Sequence, residues 1–220
     1  KLADGTAFPR AGRITFADTR VNPATGSYEM RAELPNRDLA LKPGQFVRVL
    51  AWGDGALIPS TLADWDAEAG TIDLVIQGVG TSSLLMNRMA VGDSFAGIAG
   101  PLGRPSELHE YAADQTVVFT AGGVGLPPVY PIMREHLRLG NHVTLISGFR
   151  SANLLFWTGA QERVGRLQAE YGDQLDVIYT SNDGTFGLKG FVTTPLESML
   201  ADGQRSRGRR IAEVVTIGPP

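Results

Sequence analysis

Apolar strands and helices alternate along the chain from about residue 110 onward. The run QTVVFTA at 115–121 is continuously apolar, and apolar residues then recur at helical spacing from Val129 to Leu137, with Gly140 as a C-terminal cap. Further strands are predicted at 142–149, 175–181 and 213–219, and further helices at 159–172 and 192–202. This β-α-β alternation predicts a parallel sheet covered by helices on both faces.

The first half of the chain has a different pattern. Short β-like runs are separated by turn residues such as NPATG, KPG and GDG; they lie at 12–18, 27–34, 44–52, 71–80 and 93–100. Such spacing is typical of an antiparallel barrel or sandwich. We therefore expect a β-barrel domain over residues 1–110 and an α/β domain over residues 111–220.

Charge and hydropathy exclude several function classes. The chain has 20 Lys and Arg against 23 Asp and Glu, with the two signs interspersed, so neither a nucleic-acid face nor binding to an anionic membrane is expected. The one basic run, RSRGRR at 205–210, is interpreted as a solvated loop, with a phosphate or partner contact as the alternative. No apolar stretch has the length of a membrane span, and the first residues, KLADGTAFPR, are not typical of a signal peptide.

The chain contains no cysteine, which excludes disulfides, thiolate metal sites, iron–sulfur ligation and cysteine nucleophiles within it. Its three histidines, His109, His136 and His142, lack the spacing of metal ligands and are predicted to be packed or surface residues, so no metal site is expected. Asp64 and Asp66 are predicted to be turn acids rather than a catalytic pair. Any redox chemistry must therefore use a bound cofactor.

A glycine-rich turn, AGGVG at 121–125, follows the first apolar strand of the second half. Ligands of open parallel sheets bind at the carboxyl ends of the strands, and glycines let backbone N–H groups approach a phosphate at a helix N-terminus. Pro128 is tolerated in a first helical turn, whereas Pro131 is expected to cost a helical hydrogen bond. A plain tight turn would explain the same glycines.

Several ordered motifs together resemble the ferredoxin-NADP reductase-like superfamily. They are PGQF at 43–46, IPSTLADWD at 58–66, GVGTSS at 78–83, GPLGRPSE at 100–107, GGVGLPPVYPI at 122–132, SNDGTFGLKGFVT at 181–193 and IGP at 217–219. Within that superfamily, residues 41–219 resemble the sulfide dehydrogenase beta subunit, the small subunit of NADH-dependent ferredoxin:NADP oxidoreductase and the dihydroorotate dehydrogenase electron-transfer subunit. The resemblance implies an FAD-binding barrel and an NAD(P)-binding α/β domain, with hydride passing from NAD(P)H to FAD.

The resemblance also implies roles for residues of the first domain. Pro59, Ser60 and Thr61 would line the isoalloxazine, with Thr61 near its N5 atom as the catalytic contact. The resemblance implies that the short helix following Gly80 would hold the FAD diphosphate, and this placement agrees with the capacity of serines at a helix N-terminus to cap the helix and donate to an anion. Its residues in this role are Gly80, Thr81, Ser82 and Ser83, for which an ordinary capped helix is the alternative.

In the second domain, the resemblance implies a dinucleotide site along the strand ends. The cradle of the NAD(P) diphosphate would be Gly122, Gly123, Val124 and Gly125. Gly148, Phe149 and Arg150 would flank the adenosine ribose, and Asp183 with Gly184 would lie at the nicotinamide side. Arg150 could pair with a 2′-phosphate or lie on the surface, so NADH and NADPH both stay open.

Three positions or segments depart from the superfamily pattern. Leu57 stands where an arginine usually contacts the FAD diphosphate, a loss of about 1.5 to 3 kcal/mol that Arg48 would offset only in part. Pro127 replaces a small residue and is expected to crowd the dinucleotide. These relatives continue through a further helix and a cysteine cluster that binds an iron–sulfur centre, so we expect a C-terminally truncated chain whose electrons leave to an iron–sulfur partner subunit in the cytoplasm.

Residues 4–49 carry a second resemblance, to periplasmic adaptor (membrane fusion) proteins of RND efflux pumps. Their pattern of G, I, F, D and PG positions overlaps the reductase pattern at LKPGQFVRV, and residues 1–45 are adaptor-like throughout. The chain is thus expected to be a hybrid in which an adaptor-like stretch fills the place of the first barrel strands. The alternatives to a flavin-dependent oxidoreductase are a non-catalytic adaptor module and an inactive reductase-like hybrid.

Overall fold

The computed structural model of the chain describes residues 13–17, 27–33, 41–53, 55–66 and 68–218. It divides into two compact units, unit 1 at residues 1–106 and unit 2 at residues 107–220. The sequence texture changes near residue 110, a few residues beyond this division. None of the helices in the described ranges combines the length and the hydrophobicity that a bilayer crossing requires.

In its described residues, unit 1 consists of six antiparallel strands and one short helix. The strands are β1 (Arg13–Ala17), β2 (Ser27–Glu33), β3 (Phe46–Leu50), β4 (Ile58–Asp66), β5 (Thr71–Gln77) and β6 (Gly97–Leu102), and the helix is α1 (Thr81–Met86). They lie in the order β1-β2-β5-β4-β3-β6. The amide of Ile14 donates to the carbonyl of Asp93, and the amide of Gly92 donates to the carbonyl of Ile14, so the segment before β6 also joins β1. The predicted antiparallel barrel is confirmed.

Alternating side chains explain why these segments form strands around one core. In β3, Val47 and Val49 are buried while Arg48 between them is exposed. The unit 1 core is Ile14, Leu41, Val47, Val49, Ala51, Leu62, Ile72, Leu74, Ile76, Met86, Met89 and Phe95. The KPG turn that leads into β3 needs its glycine, because Gly44 has a φ of +83° and any side chain there would overlap Ser106.

The adaptor-like stretch supplies the outer strands of this sheet. Strand β2 pairs with β5 along its whole length, from Ser27 opposite Gln77 to Glu33 opposite Thr71, and β1 pairs with β2. The residues at 1–12, 18–26 and 34–40, which also belong to that stretch, lie outside the described residues. In the described part, the adaptor-like sequence thus occupies barrel positions and forms no separate body.

Unit 2 is a parallel sheet with connecting helices. Its elements are β7 (Gln115–Gly122), α2 (Leu126–Arg138), β8 (His142–Phe149), α3 (Arg163–Tyr171), β9 (Leu175–Ser181), β10 (Leu188–Lys189), α4 (Thr193–Ala201), β11 (Arg205–Ser206) and β12 (Arg209–Ile217). The strand order is β10-β9-β8-β7-β12-β11, and every neighbouring pair except β11 with β12 is parallel. The predicted α/β parallel sheet is confirmed. Helix α2 packs on the face that carries Phe119, whose ring lies 5.6 Å from that of His136.

The basic run RSRGRR was expected to be a solvated loop; it is solvated at Arg205, Arg207 and Arg210, but the prediction of a loop is wrong. Arg205–Ser206 and the start of β12 form a hairpin, because Arg207 at φ +47° and Gly208 at φ +81° make the two-residue turn that such hairpins favour. Ser206 is buried, and its hydroxyl lies 2.9 Å from that of Thr144. Arg207 is exposed and forms an ion pair with Asp176 at 3.1 Å.

Candidate functional site

Strand β4 presents two of the three residues expected at the flavin on one face. Pro59 lies opposite Arg48 and Thr61 opposite Phe46 in the antiparallel register with β3. Ser60 lies opposite Val47 and is 5% exposed, so its side chain faces the core. Because successive side chains of a strand alternate between faces, the structure brings Pro59 and Thr61 together and turns Ser60 away from them.

The turn before α1 exposes backbone at Gly80, where a Cβ would have no heavy atom within 4 Å. The first-turn amides of α1, from Thr81, Ser82 and Ser83, have no intrahelical acceptor by helix geometry. The Ser83 hydroxyl accepts from the amides of Val79 and Gly80 and donates to the carbonyl of Gly80 at 3.0 to 3.1 Å. Ser83 is therefore a capping residue, and its hydroxyl is already fully used.

Leu57 cannot supply the positive charge expected before β4, and the pairing of β3 with β4 makes Arg48 a candidate to supply it. Leu57 is 38% exposed and directly precedes β4, while Arg48 lies across from Pro59 with an exposed side chain. Opposed residues of an antiparallel pair share a face. The guanidinium of Arg48 can therefore reach the same side of the sheet as Pro59 and Thr61, and the residues present fit an FAD group on that side.

In unit 2, the predicted dinucleotide residues lie at the carboxyl ends of three neighbouring strands. Gly122 at the end of β7 pairs with Gly148 of β8, and Gly148 pairs with Thr180 of β9. A Cβ at Gly148 would overlap side-chain atoms of Val192 and Thr180. The absence of a side chain at Gly148 thus allows close packing of the strand ends.

The glycines of the GGVG turn have two separate roles. Gly123 has a φ of +52° and open space where a Cβ would stand, so its backbone is available to a ligand. A Cβ at Gly125 would instead overlap the backbone carbonyl of Ile217, so this glycine allows β12 to pass close to the turn. Residues 123–125 form a single 3-10 turn before α2.

Prolines limit the donors that α2 can offer at its N-terminus. Pro127 and Pro128 occupy its first turn and carry no N–H, and the amide of Leu126 already donates to the carbonyl of Gly123. Because the 3-10 turn also uses the Gly125 amide, the anion donors at this turn must come from Gly123 and Val124. The Pro127 ring was expected to crowd the dinucleotide, but it is buried within unit 2.

The loops that follow β8 and β9 are tied to each other. The amides of Asn182 and Asp183 donate to the carbonyls of Phe149 and Arg150, at 3.0 and 3.2 Å. The Asp183 carboxylate accepts from the amide and the hydroxyl of Thr185, at 3.0 and 2.7 Å, and these bonds lower the pKa of Asp183. Arg150 and Asp183 therefore lie at the same edge, and the Asp183 side chain shapes its own loop.

Buried hydroxyls near these strand ends were missed by the sequence reasoning. The hydroxyls of Thr120, Ser147 and Thr180 are buried and have no hydrogen-bond partner in the described part of the chain. Threonine and serine inside otherwise apolar strands next to a glycine turn were the available signal. Because buried polar groups normally find partners, orphaned hydroxyls beside an open glycine fit a polar ligand such as a dinucleotide.

Comparison with known proteins gives two kinds of match. Residues 2–52 match the family model "RND MFPs, beta-barrel domain". An uncharacterized protein in the adh 3′ region of Clostridium beijerinckii is 32% identical, over 87% of this chain and 62% of that protein. A dihydroorotate dehydrogenase B (NAD(+)) electron transfer subunit homolog of Thermotoga maritima is 29% identical, over 83% of this chain and 60% of that protein.

Among solved structures, an NADH-dependent reduced ferredoxin-NADP oxidoreductase superposes with a TM-score of 0.78 and 26% identity, covering 98% of this chain and 69% of that one. The fold of the chain is ferredoxin reductase-like. Both resemblances deduced from the sequence are thereby confirmed. The reductase-like resemblance covers most of the chain, and the adaptor-like resemblance covers its first residues. The reductase-like chain spans about 60% of the length of the curated relatives it matches.

Among the residues that the structure describes, no group of three or more histidines, aspartates and glutamates is placed to hold a metal ion. The candidate site of this reductase-like chain consists instead of glycines, hydroxyls and backbone amides. Such groups bind and orient a cofactor rather than ligate a metal.

Proposed function

We propose that the chain is a flavin-dependent NAD(P)H oxidoreductase or electron-transfer subunit, with FAD held by unit 1 and NAD(P)H by unit 2. The observation that carries the proposal is the carboxyl edge of the unit 2 sheet, which has both an open glycine at positive φ and buried hydroxyls that lack partners among the described residues. The likeness to electron-transfer subunits and to a ferredoxin-NADP oxidoreductase supports the redox assignment. Bound FAD would supply the chemistry, accepting a hydride from the nicotinamide and releasing its electrons singly.

In unit 2, the backbone amides of Gly123 and Val124 would donate to the dinucleotide diphosphate, and Gly122 and Gly125 would complete the glycine cradle around it. The N-terminus of α2 adds a partial positive charge at the same place, even though its prolines remove amides. Arg150 and Asp183 would flank the ribose and nicotinamide sides. Their loops are held by backbone bonds to each other, so this rim is preorganised for a ligand.

In unit 1, the face of β4 that carries Pro59 and Thr61 would pack against the isoalloxazine. The Thr61 hydroxyl is the polar group that would hydrogen-bond the ring edge near N5. The first-turn amides of Thr81, Ser82 and Ser83 would hold the FAD diphosphate, Gly80 would leave room for it by lacking a side chain, and Arg48 would supply the positive charge that Leu57 lacks.

The chain needs no acid or base of its own for this reaction, because hydride transfer requires orientation and exclusion of water rather than a titrating side chain. The electrons would then pass to an iron–sulfur partner subunit. We place the protein in the cytoplasm, where NADH and NADPH are available. Whether NADH or NADPH is used would be decided at Arg150.

The match to membrane fusion proteins favours a second candidate function, that of a non-catalytic adaptor module. The pairing of β2 with β5 speaks against it, because the described adaptor-like strands are part of the barrel sheet. An adaptor would bind no flavin, and this difference separates the two candidates.

The first test is a visible absorbance spectrum of the purified chain after FAD is added and free FAD is removed by desalting, followed by anaerobic addition of NADH and then NADPH. Retained flavin that is bleached by one nucleotide supports the proposal. A folded protein that retains no flavin contradicts it and leaves the adaptor or the inactive hybrid.

A matched pair of substitutions tests the nucleotide site. Gly123→Asp puts a carboxylate where the diphosphate would lie, and we expect a Kd for the nucleotide about tenfold higher or more. Gly140→Asp adds the same charge at another open glycine with positive φ, at the opposite end of α2. Equal nucleotide affinity in the two variants would contradict the assignment of the GGVG turn.

A further inference from the structure

A buried amide holds together the segment that leads into unit 2. We call residues 107–114 the strap; they connect the end of unit 1 to β7. Asn141, 2% exposed, accepts a hydrogen bond from the amide of Tyr111 at 2.8 Å and donates one to the carbonyl of His109 at 2.8 Å. Its Nδ2 also lies 3.1 Å from Nδ1 of His136, which is fully buried on α2. Asn141 thus joins the strap to the helix.

These bonds determine where His136 carries its proton. A backbone N–H can only donate and a backbone carbonyl can only accept, so the strap fixes which end of the Asn141 amide is oxygen and which is nitrogen. The second N–H of Asn141 then points at Nδ1 of His136, which must be an unprotonated acceptor. The neutral ring consequently carries its proton on Nε2.

The other side of the His136 ring faces β12 and the strap. Its Nε2 lies 4.0 Å from Oε2 of Glu213, and the same oxygen accepts a hydrogen bond from the Tyr111 hydroxyl at 2.8 Å. The Tyr111 ring stacks on the imidazole, with centroids 6.3 Å apart and planes 9° apart. Hydrogen bonds and ring stacking therefore hold the strap at the same histidine.

The titratable groups that face His136 come from two packed elements. Glu213 lies on β12, and Tyr111 and His109 lie on the strap, while Phe119 of β7 carries no charge. On the helix itself, Glu135 and Arg138 form an ion pair with each other at 3.0 Å. Burial lowers the pKa of His136, Glu213 opposes that effect and His109 adds to it.

We propose that His136 is a proton-sensitive clasp: the neutral ring holds the strap against α2 and β12, and protonation at Nδ1 releases it. A proton on Nδ1 would set a ring N–H against the N–H of Asn141. Turning the Asn141 amide to accept that proton would mismatch both its bond to the Tyr111 amide and its bond to the His109 carbonyl. The strap contacts and the protonated ring are therefore incompatible.

The direction of the pH effect follows from the lowered pKa of His136. The released state binds the proton more readily, since its histidine titrates near the ordinary value of about 6.5. The clasp is fully stable above that pH and weakens as the pH falls through it. Over that range, strap opening should increase by about tenfold per pH unit, the slope produced by uptake of one proton.

Two measurements on the whole chain test the clasp. Nitrogen NMR of the His136 ring should show the Nε2–H tautomer at neutral pH and a pKa below about 6.5. Hydrogen exchange at the Tyr111 amide, corrected for the intrinsic pH dependence, should lose protection between pH 7 and pH 5, while the Leu145 amide in β8 keeps its protection. The Nδ1–H tautomer, a flat protection profile for Tyr111, or parallel loss at Leu145 would each overturn the proposal.

Three variants separate the clasp from a merely structural role. In His136→Gln, an amide oxygen can still accept from Asn141, so Tyr111 protection should no longer depend on pH. In Asn141→Asp, a carboxylate replaces the N–H donor, so the pKa of His136 should rise above its ordinary value even if the strap is loosened. His109→Gln, which changes an exposed strap histidine, should shift the opening midpoint far less. An unchanged His136 pKa in Asn141→Asp would refute the clasp.

Discussion

Near the amino ends of the strands in unit 2, Thr116 and Thr144 are buried and their hydroxyls are hydrogen-bonded. Near the carboxyl ends, Thr120 and Thr180 are equally buried, but their hydroxyls have no partner among the described residues. The same residue type on the same sheet is thus satisfied at one end and unsatisfied at the other. Desolvating an unpaired hydroxyl costs about 1 to 3 kcal/mol, so the unpaired threonines at the carboxyl ends lower the stability of unit 2. Such a cost is typical of a site that serves a ligand, whereas the hydrogen-bonded hydroxyls of Thr116 and Thr144 serve folding.

The largest expected loss of unfolding free energy comes from Gly125→Ala, which tests whether every glycine at the carboxyl ends of the unit 2 strands serves a ligand. In Gly125→Ala, the new Cβ would overlap the backbone of Ile217, which cannot move aside as a side chain can. We expect unit 2 to lose about 3 kcal/mol or more of unfolding free energy. Urea unfolding should show this loss, and Gly140→Ala, in open space, should lose only about 1 kcal/mol.

Loss of the Asn141 side-chain amide, at the amino end of the unit 2 sheet, should lower the free energy of unfolding nearly as much. Asn141→Leu leaves the Tyr111 amide and the His109 carbonyl without their partners, and the expected cost is about 2 to 3 kcal/mol. Thermal and urea unfolding at neutral pH would measure it. A cost below about 0.5 kcal/mol would mean that water replaces the amide and that this end is not specially anchored.

A pair of isosteric changes on β7 compares the two ends directly. Thr116→Val removes a hydroxyl that donates to the carbonyl of His142 at 3.1 Å and should cost about 1 kcal/mol. Thr120→Val removes an unpaired hydroxyl and should leave stability unchanged or raise it by up to about 1 kcal/mol. Unfolding and nucleotide binding should both be measured, and equal stability losses in the two variants would remove the contrast between the ends.

The smallest effect concerns alkaline pH at the amino end. Burial and the hydrogen bond to Glu213 raise the pKa of Tyr111 to about 12. The unfolded chain loses this proton first, near its ordinary value of about 10, so the contribution is complete below that pH and is lost as the pH rises through 12. Tyr111→Phe should be less stable at neutral pH and should show a smaller alkaline decline in an unfolding series; part of the decline should remain, because burial also raises the pKa of Tyr179 to about 12.

Much of the unit 2 fold was predictable because its strands are long and apolar. The predicted strands at 142–149 and 175–181 have the same bounds in the structure. Helix α3 begins later than predicted, because the Glu162 carboxylate accepts from the Gly159 amide at 2.8 Å and holds 159–162 as a turn. The strands β10 and β11, with two residues each, are too short for any periodicity to show.

The candidate site was predictable in position but not in detail. Glycine spacing placed the GGVG turn at a strand end, yet it did not distinguish open Gly123 from tightly packed Gly125, which depends on β12 far along the chain. The clasp at His136 could not be predicted from the sequence for the same reason. Its partners, from Tyr111 to Glu213, meet only after the sheet has formed.

The pairing of β2 with β5 allows the segment that contains β2 to be exchanged for another sequence. This pairing is made by main-chain groups from Ser27 to Glu33, and any sequence that can form a strand offers the same groups. Recombination between unrelated barrel proteins could therefore deliver a foreign segment to this position without breaking its hydrogen bonds. A strand pairing of this kind, which depends on main-chain groups alone, is a natural splice point at which a protein changes its ancestry while keeping its architecture.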